Sequence, residues 1–193
     1  LSHKIILVTG GTRSGKSVFA EKYVQKIGSQ IAYIATAQIY DAEMQNRVDV
    51  HRDRRPANWK TFEAPYEAER AICEAAASCD TILFDCLTLY TSNLLLSPAA
   101  PANKKDRFNY VIQAVHTLLN SIQETHCTIV FVTNEVGMGI VPENALAREF
   151  RDVAGSVNQL LASYADEVYL VVSGIAVNIK RLAVKLAEEE QDG

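Results

Sequence analysis

The apolar run KIILVT (residues 4–9) passes directly into GGTRSGKS (10–17). Gly10-x-x-x-x-Gly15-Lys16-Ser17 satisfies the phosphate-loop pattern G-x-x-x-x-G-K-[ST]. Such a loop works only where a strand turns sharply into a helix, so it commits the chain to strand–helix architecture. The glycines let the backbone adopt conformations that a side chain forbids and approach phosphate oxygens closely. Successive N–H groups from Gly10 through Gly11, Thr12, Arg13, Ser14 and Gly15 then converge on an anion, and the helix "KSVFAEKYV" adds its positive N-terminal end. Lys16 is placed to reach the β- and γ-phosphates, and Ser17 to help hold Mg²⁺. Arg13 either touches phosphate or faces solvent.

Further short apolar runs follow: IAYIAT (31–36), TILFDC (81–86), TIVFVT (128–133) and EVYLVV (167–172). A sixth run, AVNIK (176–180), follows Ser173-Gly174 and reads as a hairpin return. Most of these runs are continuously apolar, as strands covered on both faces are. Helical patterns lie between them, at 16–27, about 41–54, 64–77, 104–125 and 144–165. Alternating strands and helices predict one α/β domain over residues 1–193, with a mostly parallel central sheet flanked by helices. The stretch LSPAAPANKKD (96–106), with its two prolines, reads as a loop.

Composition narrows the class. A hydrophobic fraction of 48% suits a globular core, and a net charge of −4 argues against nucleic acid as a partner. No apolar run approaches the roughly 18 residues needed to cross a bilayer. The beginning of the chain enters a strand at once and does not read as a signal peptide. Cys73, Cys79, Cys86 and Cys127 lack metal-ligand spacing and read as reduced thiols. A cytoplasmic location is the expectation.

Two further stretches carry chemistry. TILFD ends in Asp85, which suits either the Mg²⁺-assisting acid of a phosphate-loop protein or a helix N-cap. DAEMQNRVDVHRDRRPANW (41–59) reads as a helix capped by Asp41 and stopped near Pro56. Helical spacing puts Arg47, His51 and Arg55 on one face. His51 thus sits among Arg47, Arg52, Arg54 and Arg55, with Asp53 close. Arginines suit phosphate. The histidine can be a nucleophile toward phosphorus, a general base, or a surface residue. A GTPase switch is excluded, because TNEV (133–136) has Glu135 where base recognition needs lysine.

With these residues in view, the sequence resembles the bifunctional adenosylcobinamide kinase / adenosylcobinamide-phosphate guanylyltransferase family of cobalamin assembly. The resemblance runs through ILVTGGTRSGKSVFAE, the block from Tyr33 to Pro65, DCLTLYTSNLLL, and the long block from Val132 to Lys180. Residues 97–127 carry little of it, and Tyr90 stands where many members have tryptophan. The resemblance implies a RecA-like phosphate-loop domain, often a homotrimer. It implies ATP or GTP, with Mg²⁺, as donor to the aminopropanol hydroxyl of adenosylcobinamide, and then GTP as donor of GMP to the resulting phosphate. His51 is implied as the residue that carries GMP between donor and acceptor. Nucleotide contacts are implied for Gly10 to Ser17, for Ile34, Ala35 and Thr36, for Arg52, Asp53, Arg54 and Arg55, and for Glu63 and Asp85. The metal roles of Ser17 and Asp85 are those read above from the phosphate loop and from the end of TILFD. An unperturbed imidazole has a pKa of about 6.5 and is mostly unprotonated at pH 7, as a nucleophile must be. The loop VTNEVGMGIVPEN (132–144) reads either as the rim of the cobinamide site or as a plain strand–helix connection.

Overall fold

The computed structural model describes residues 4–39, 41–53 and 55–184; within them, the side chains of Glu43, Arg47, Val50, His51 and Asp53 are not described. In chain order the elements are β1 (Ile5–Gly10), α1 (Lys16–Ile27), β2 (Ile31–Ala35), α2 (Ala42–Asp53), β3 (Lys60–Glu63), α3 (Ala68–Ala76), β4 (Thr81–Asp85), α4 (Leu87–Leu96), α5 (Lys104–Gln123), β5 (Thr128–Asn134), α6 (Ala145–Tyr164), β6 (Glu167–Val172) and β7 (Ile175–Asn178). A short 3-10 turn, Ile179–Leu182, follows β7.

The seven strands form one sheet in the order β3-β2-β4-β5-β1-β6-β7. All neighbouring pairs are parallel except β6–β7, which is antiparallel. Strand side chains alternate between faces. Ile5, Leu7, Ile34, Phe84 and Phe131 join one core with α3, α4, α5 and α6. Ile6, Val8, Leu83, Val130 and Val132 join a second core with Ala20 and Val24 of α1 and with Trp59. Burial on both faces explains the continuously apolar strands.

Two elements depart from the sequence reading. β3 is a four-residue edge strand whose Lys60, Thr61 and Glu63 are exposed, so it carries no apolar run. α4 buries seven of its ten residues, including Thr88, Thr91 and Asn93. A helix surrounded by protein shows no polar stripe, and its period is therefore invisible in the sequence. The proline-rich loop ends where the helical pattern is expected to begin: α5 starts at Lys104, and Asn103 Oδ1 accepts from the N–H groups of Lys105 and Asp106. The hairpin return is present as β7, turned through Ser173 (φ 51°) and Gly174 (φ 80°). Positive φ at both central residues is what a tight two-residue hairpin needs.

Candidate nucleotide site

The phosphate loop leaves the end of β1 and is supported from below by β6 and β7. A Cβ on Gly10 would lie 2.4 Å from the Val171 carbonyl oxygen and 2.7 Å from Ser14 Oγ. Gly15 has φ +94°, and a Cβ there would lie 3.1 Å from Gly174 Cα. Both positions demand glycine. Gly11 faces open space. Arg13 is exposed and takes φ 58°.

The α1 N-terminus is arranged differently from those of the other long helices. α5 and α6 are capped by the side chains of Asn103 and Asn144. α1 has Gly15 as its N-cap, with no side-chain cap, and no acid in its first turn. Its first amides thus stay available to an anion at the positive end of the helix. Lys16 Nζ donates to the Gly11 carbonyl at 3.2 Å, lying across the loop. Burial lowers the Lys16 pKa, while Cys86 and Asp85 act in the opposite direction. Ser17, next in the helix, is half-buried.

Asp85 ends β4, but β4 does not adjoin β1: β5 runs between them. The acid therefore faces the loop from two strands away, not from the neighbouring strand. Nor does Asp85 cap α4, whose N-cap is Cys86 with no side-chain cap bond. Instead Asp85 Oδ2 accepts from the Tyr33 hydroxyl at 3.0 Å.

At the end of β2, Ile34 and the following Thr36 are fully buried, whereas Ala35 keeps some surface. Ile34 is a core residue. Thr36 Oγ1 donates to the Cys86 carbonyl and accepts from the Cys86 N–H, each at 2.8 Å, and so clamps the tips of β2 and β4 together. Asn93 Nδ2 secures this clamp through the carbonyls of Thr36 (2.8 Å) and Pro65 (3.0 Å). Those two side chains are therefore engaged in the protein and present no face to a ligand. Glu63 ends β3, exposed and in register with Ala35.

The second block forms α2 as expected, and Asp41 Oδ1 accepts from the Met44 N–H at 2.7 Å. His51 lies in its last turn, with its side chain outside the described residues, as are those of Arg47 and Asp53 and the whole of Arg54. Arg52 is exposed. The helix stops at Asp53, so Arg55 does not continue the face shared by Arg47 and His51. It folds back over β2, with Cζ 3.7 Å from the centroid of the Tyr33 ring. Sequence reasoning missed Tyr33, Thr88, Asn93, Asn158 and Gly174. Each reads in the sequence as an ordinary strand, helix or turn residue.

The exit of β5 is fixed by a polar network. Thr133 Oγ1 donates to Asn158 Oδ1 (2.7 Å), Asn158 Nδ2 donates to the Asn134 carbonyl (3.1 Å), and the Asn134 N–H donates to Thr88 Oγ1 (2.6 Å). The Glu135 N–H then bonds the Gly10 carbonyl at 3.1 Å, which sets the following loop beside the cradle. In that loop Met138 and Ile140 are 85% and 96% exposed. A separate cleft of about 600 Å³ between α3, α4 and α5, lined by Tyr66, Glu69, Leu94 and Tyr110, contains none of these residues.

A phosphate loop between β1 and α1, and an acid on β4 beyond an intervening strand, define an α/β protein of the phosphate-loop nucleotide-using class. The chain belongs to the cobinamide kinase / cobinamide phosphate guanyltransferase family, which it matches over residues 6–179. It is 47% identical over 182 residues to the bifunctional adenosylcobalamin biosynthesis protein CobU of Salmonella typhimurium, covering 91% of this chain and 99% of that protein. It is 37% identical over 174 residues to the bifunctional adenosylcobalamin biosynthesis protein CobP of Pseudomonas aeruginosa, covering 90% and 96% respectively. In structure it resembles a prototypical ATPase from the type III secretion system of pathogenic bacteria, with a TM-score of 0.59 at 11% identity, covering 94% of this chain and 59% of that one. At that identity the likeness concerns the fold.

Proposed function

We propose that this chain runs two successive transfers over one nucleotide cradle. In the first, ATP or GTP gives its γ-phosphoryl group to the aminopropanol hydroxyl of adenosylcobinamide, leaving the nucleoside diphosphate. In the second, an imidazole nitrogen of His51 attacks the α-phosphorus of GTP, forming an N–P bond and expelling pyrophosphate. The adenosylcobinamide phosphate then attacks that phosphorus, breaks the N–P bond and leaves as adenosylcobinamide-GDP. Covalent capture divides one displacement into two.

The observation that carries this reading is the seat of Arg55 on Tyr33, whose hydroxyl holds Asp85. It ties the segment that follows the His51 helix to β2 and, through Asp85, to the tip of β4, the strand whose acid is assigned to the cradle. Gly10 to Ser17 are assigned to the phosphates, with Arg13, Arg52, Arg54 and Arg55 as flanking cations, Asp53 among them, and Ala35 and Glu63 at the edge of the site. The donor set fits Mg²⁺, which usually takes one or two protein oxygens and completes its shell with phosphate and water. Ser17 and Asp85 would hold it, and among the described residues no cluster of three metal-ligating side chains offers a competing cage. When bound, the ion neutralises charge on the phosphates.

The exposed loop around Met138 and Ile140 is assigned to the rim that receives the large cobinamide. The apolar edge formed by Val172, Ile175 and Leu182, exposed by 57%, 68% and 70%, supports a homo-oligomer, a trimer by family likeness. A cytoplasmic location is assigned by family likeness; separately, among the described residues no helix is long and apolar enough to cross a membrane.

The test is capture of label from α-labelled GTP with Mg²⁺ after denaturation. The adduct should be acid-labile, as a phosphoramidate is. His51→Ala should lose it while keeping measurable kinase turnover. Undiminished label in His51→Ala would overturn the role of His51.

A further inference from the structure

Tyr33 belongs to no motif, yet it touches two parts of the proposed machinery. It is 4% exposed and sits on the α1-side face of β2. Its hydroxyl donates to Asp85 Oδ2 at 3.0 Å, and its ring lies 3.7 Å from Arg55 Cζ. Arg55 follows the last residue of α2 by two positions, and its Nη1 reaches Thr61 Oγ1 of β3 at 3.4 Å. The chain then turns back at Pro56, whose carbonyl accepts from the Trp59 N–H at 3.1 Å. Trp59 buries itself in the same core as Tyr33.

We infer that Tyr33 is a positioning residue, whose hydroxyl sets the Asp85 carboxylate and whose ring seats Arg55 and hence the end of the His51 helix. The inference rests on the two-transfer reading above and adds to it a residue that touches neither substrate.

The physical case has two halves. A buried phenol loses its hydration and is tolerated when it finds a partner. Here the partner is a carboxylate, so the bond is charge-assisted and directional. With Oδ2 held, the carboxylate has a defined orientation at the strand tips, where its charge also reaches Lys16.

The second half concerns α2. Its sequence AEMQNRVDVHRD is strongly polar, and in the described residues it shares no extensive packing with another helix or strand. Such a helix is located by its ends. Asp41 caps the start, and the Arg55 stack fixes the exit. A guanidinium lying flat on an aromatic face is a favourable cation–π contact. His51 is four residues before that anchor.

The experiment separates ring from hydroxyl. Tyr33→Phe keeps the ring, and Tyr33→Leu keeps neither. Mn²⁺ serves as the metal probe, with its binding read by electron paramagnetic resonance in the complex with an α,β-methylene GTP analogue that cannot donate GMP. Tyr33→Phe should weaken Mn²⁺ binding by about fivefold, the effect of one lost hydrogen bond. Unchanged Mn²⁺ affinity overturns the role of the hydroxyl. At saturating Mg²⁺, single-turnover capture of GMP should be slower in Tyr33→Leu than in Tyr33→Phe by about tenfold, the effect of losing a partly desolvated cation–π seat. Equal rates overturn the role of the ring. Should Tyr33→Leu fail to unfold cooperatively, Arg55→Gln replaces it, because it empties the seat without touching the core, and its capture rate is compared in the same way. If the parent captures no GMP at all, the histidine reading has failed. The seat is then judged by hydrogen exchange of the α2 amides, where lost protection in Arg55→Gln supports it and unchanged protection overturns it.

Discussion

The backbone N–H of Gly174 donates to the carbonyl of Ser14 at 2.8 Å. The turn between β6 and β7 is thus the floor of a phosphate loop that lies about 160 residues earlier in the chain, a separation that the parallel β1–β6 pairing closes. The two end glycines of the loop answer to this floor: Gly10 faces the Val171 carbonyl, and Gly15 faces Gly174.

Gly10→Ala should therefore damage binding and stability together. Its methyl group would lie 2.4 Å from a backbone oxygen, which cannot rotate away. Overpacking of this kind costs about 1–3 kcal/mol. We expect a matching drop in stability by urea unfolding and a rise of tenfold or more in the nucleotide Kd by titration calorimetry. The contrast is Gly155, inside α6 with nothing within 4 Å of its Cβ position. Gly155→Ala should stabilise the protein by about 0.5–1 kcal/mol and leave the nucleotide Kd unchanged.

Thr36→Val tests the clamp between β2 and β4. Valine matches threonine in shape but cannot bond either group of Cys86. The buried Cys86 N–H loses its partner, at a cost of about 1–3 kcal/mol, while the Cys86 carbonyl keeps the N–H of Tyr90. Denaturant unfolding should show the loss. Nucleotide turnover should also fall, because Asp85 is one residue from the released strand tip. A variant as stable as the parent would show that the clamp contributes nothing.

Much of this arrangement is legible in the sequence, for identifiable reasons. The phosphate loop is read from spacing because each of its residues has a separate steric or chemical duty. Five strands are read from their apolar runs, and those such as ILVT and TIVFVT are continuous because they are covered on both faces. Asp85 stands out because it ends such a run. α4 does not stand out, since most of LTLYTSNLLL is buried and no polar stripe marks its period. Tyr33 looks like any strand aromatic until Arg55 and Asp85, 22 and 52 residues further along, are seen against it. Arg55 was placed on the His51 face by helical spacing. The helix ends before it, and the side chain is drawn instead to an aromatic ring on β2. Pairings that depend on which strands become neighbours are not encoded locally.

Glu149 links α6 to α5 through a two-pronged bond with Arg107, at 2.8 Å from Nε and 2.7 Å from Nη2. The hydrogen bond from Arg107 holds the Glu149 carboxyl below its usual range, against an opposing effect of burial. A lowered folded pKa means that the unfolded chain binds the proton more readily. The contribution to stability is therefore complete above the unfolded glutamate pKa of about 4.3 and is lost as pH falls through the folded value. Glu149→Gln should be less stable than the parent at pH 7, and the gap should narrow below about pH 4. Paired urea titrations at the two pH values measure it, and a gap independent of pH would contradict the assignment.

The loop beyond β5 offers the clearest separation of the two substrates. The Glu135 N–H on Gly10 fixes its first residue beside the cradle, and Glu135 Oε1 accepts from the Gly137 N–H at 2.9 Å. Past that point Met138 and Ile140 extend into solvent without apolar cover. Large apolar side chains held at the mouth of a polar site gain by covering a large ligand, by roughly 1.5–3 kcal/mol for a fully buried isoleucine. A charge in their place forfeits that gain and adds a desolvation cost. Ile140→Asp should raise the KM for adenosylcobinamide by about tenfold, equivalent to about 1.4 kcal/mol of binding. The KM for the nucleotide should change by less than about twofold, and folding stability by no more than about 0.5 kcal/mol, since an exposed side chain away from the core is exchanged. Steady-state kinetics with each substrate varied in turn distinguishes the outcomes. If both KM values stay at the parent level, the loop is only a connection between β5 and α6, and the cobinamide must be held elsewhere.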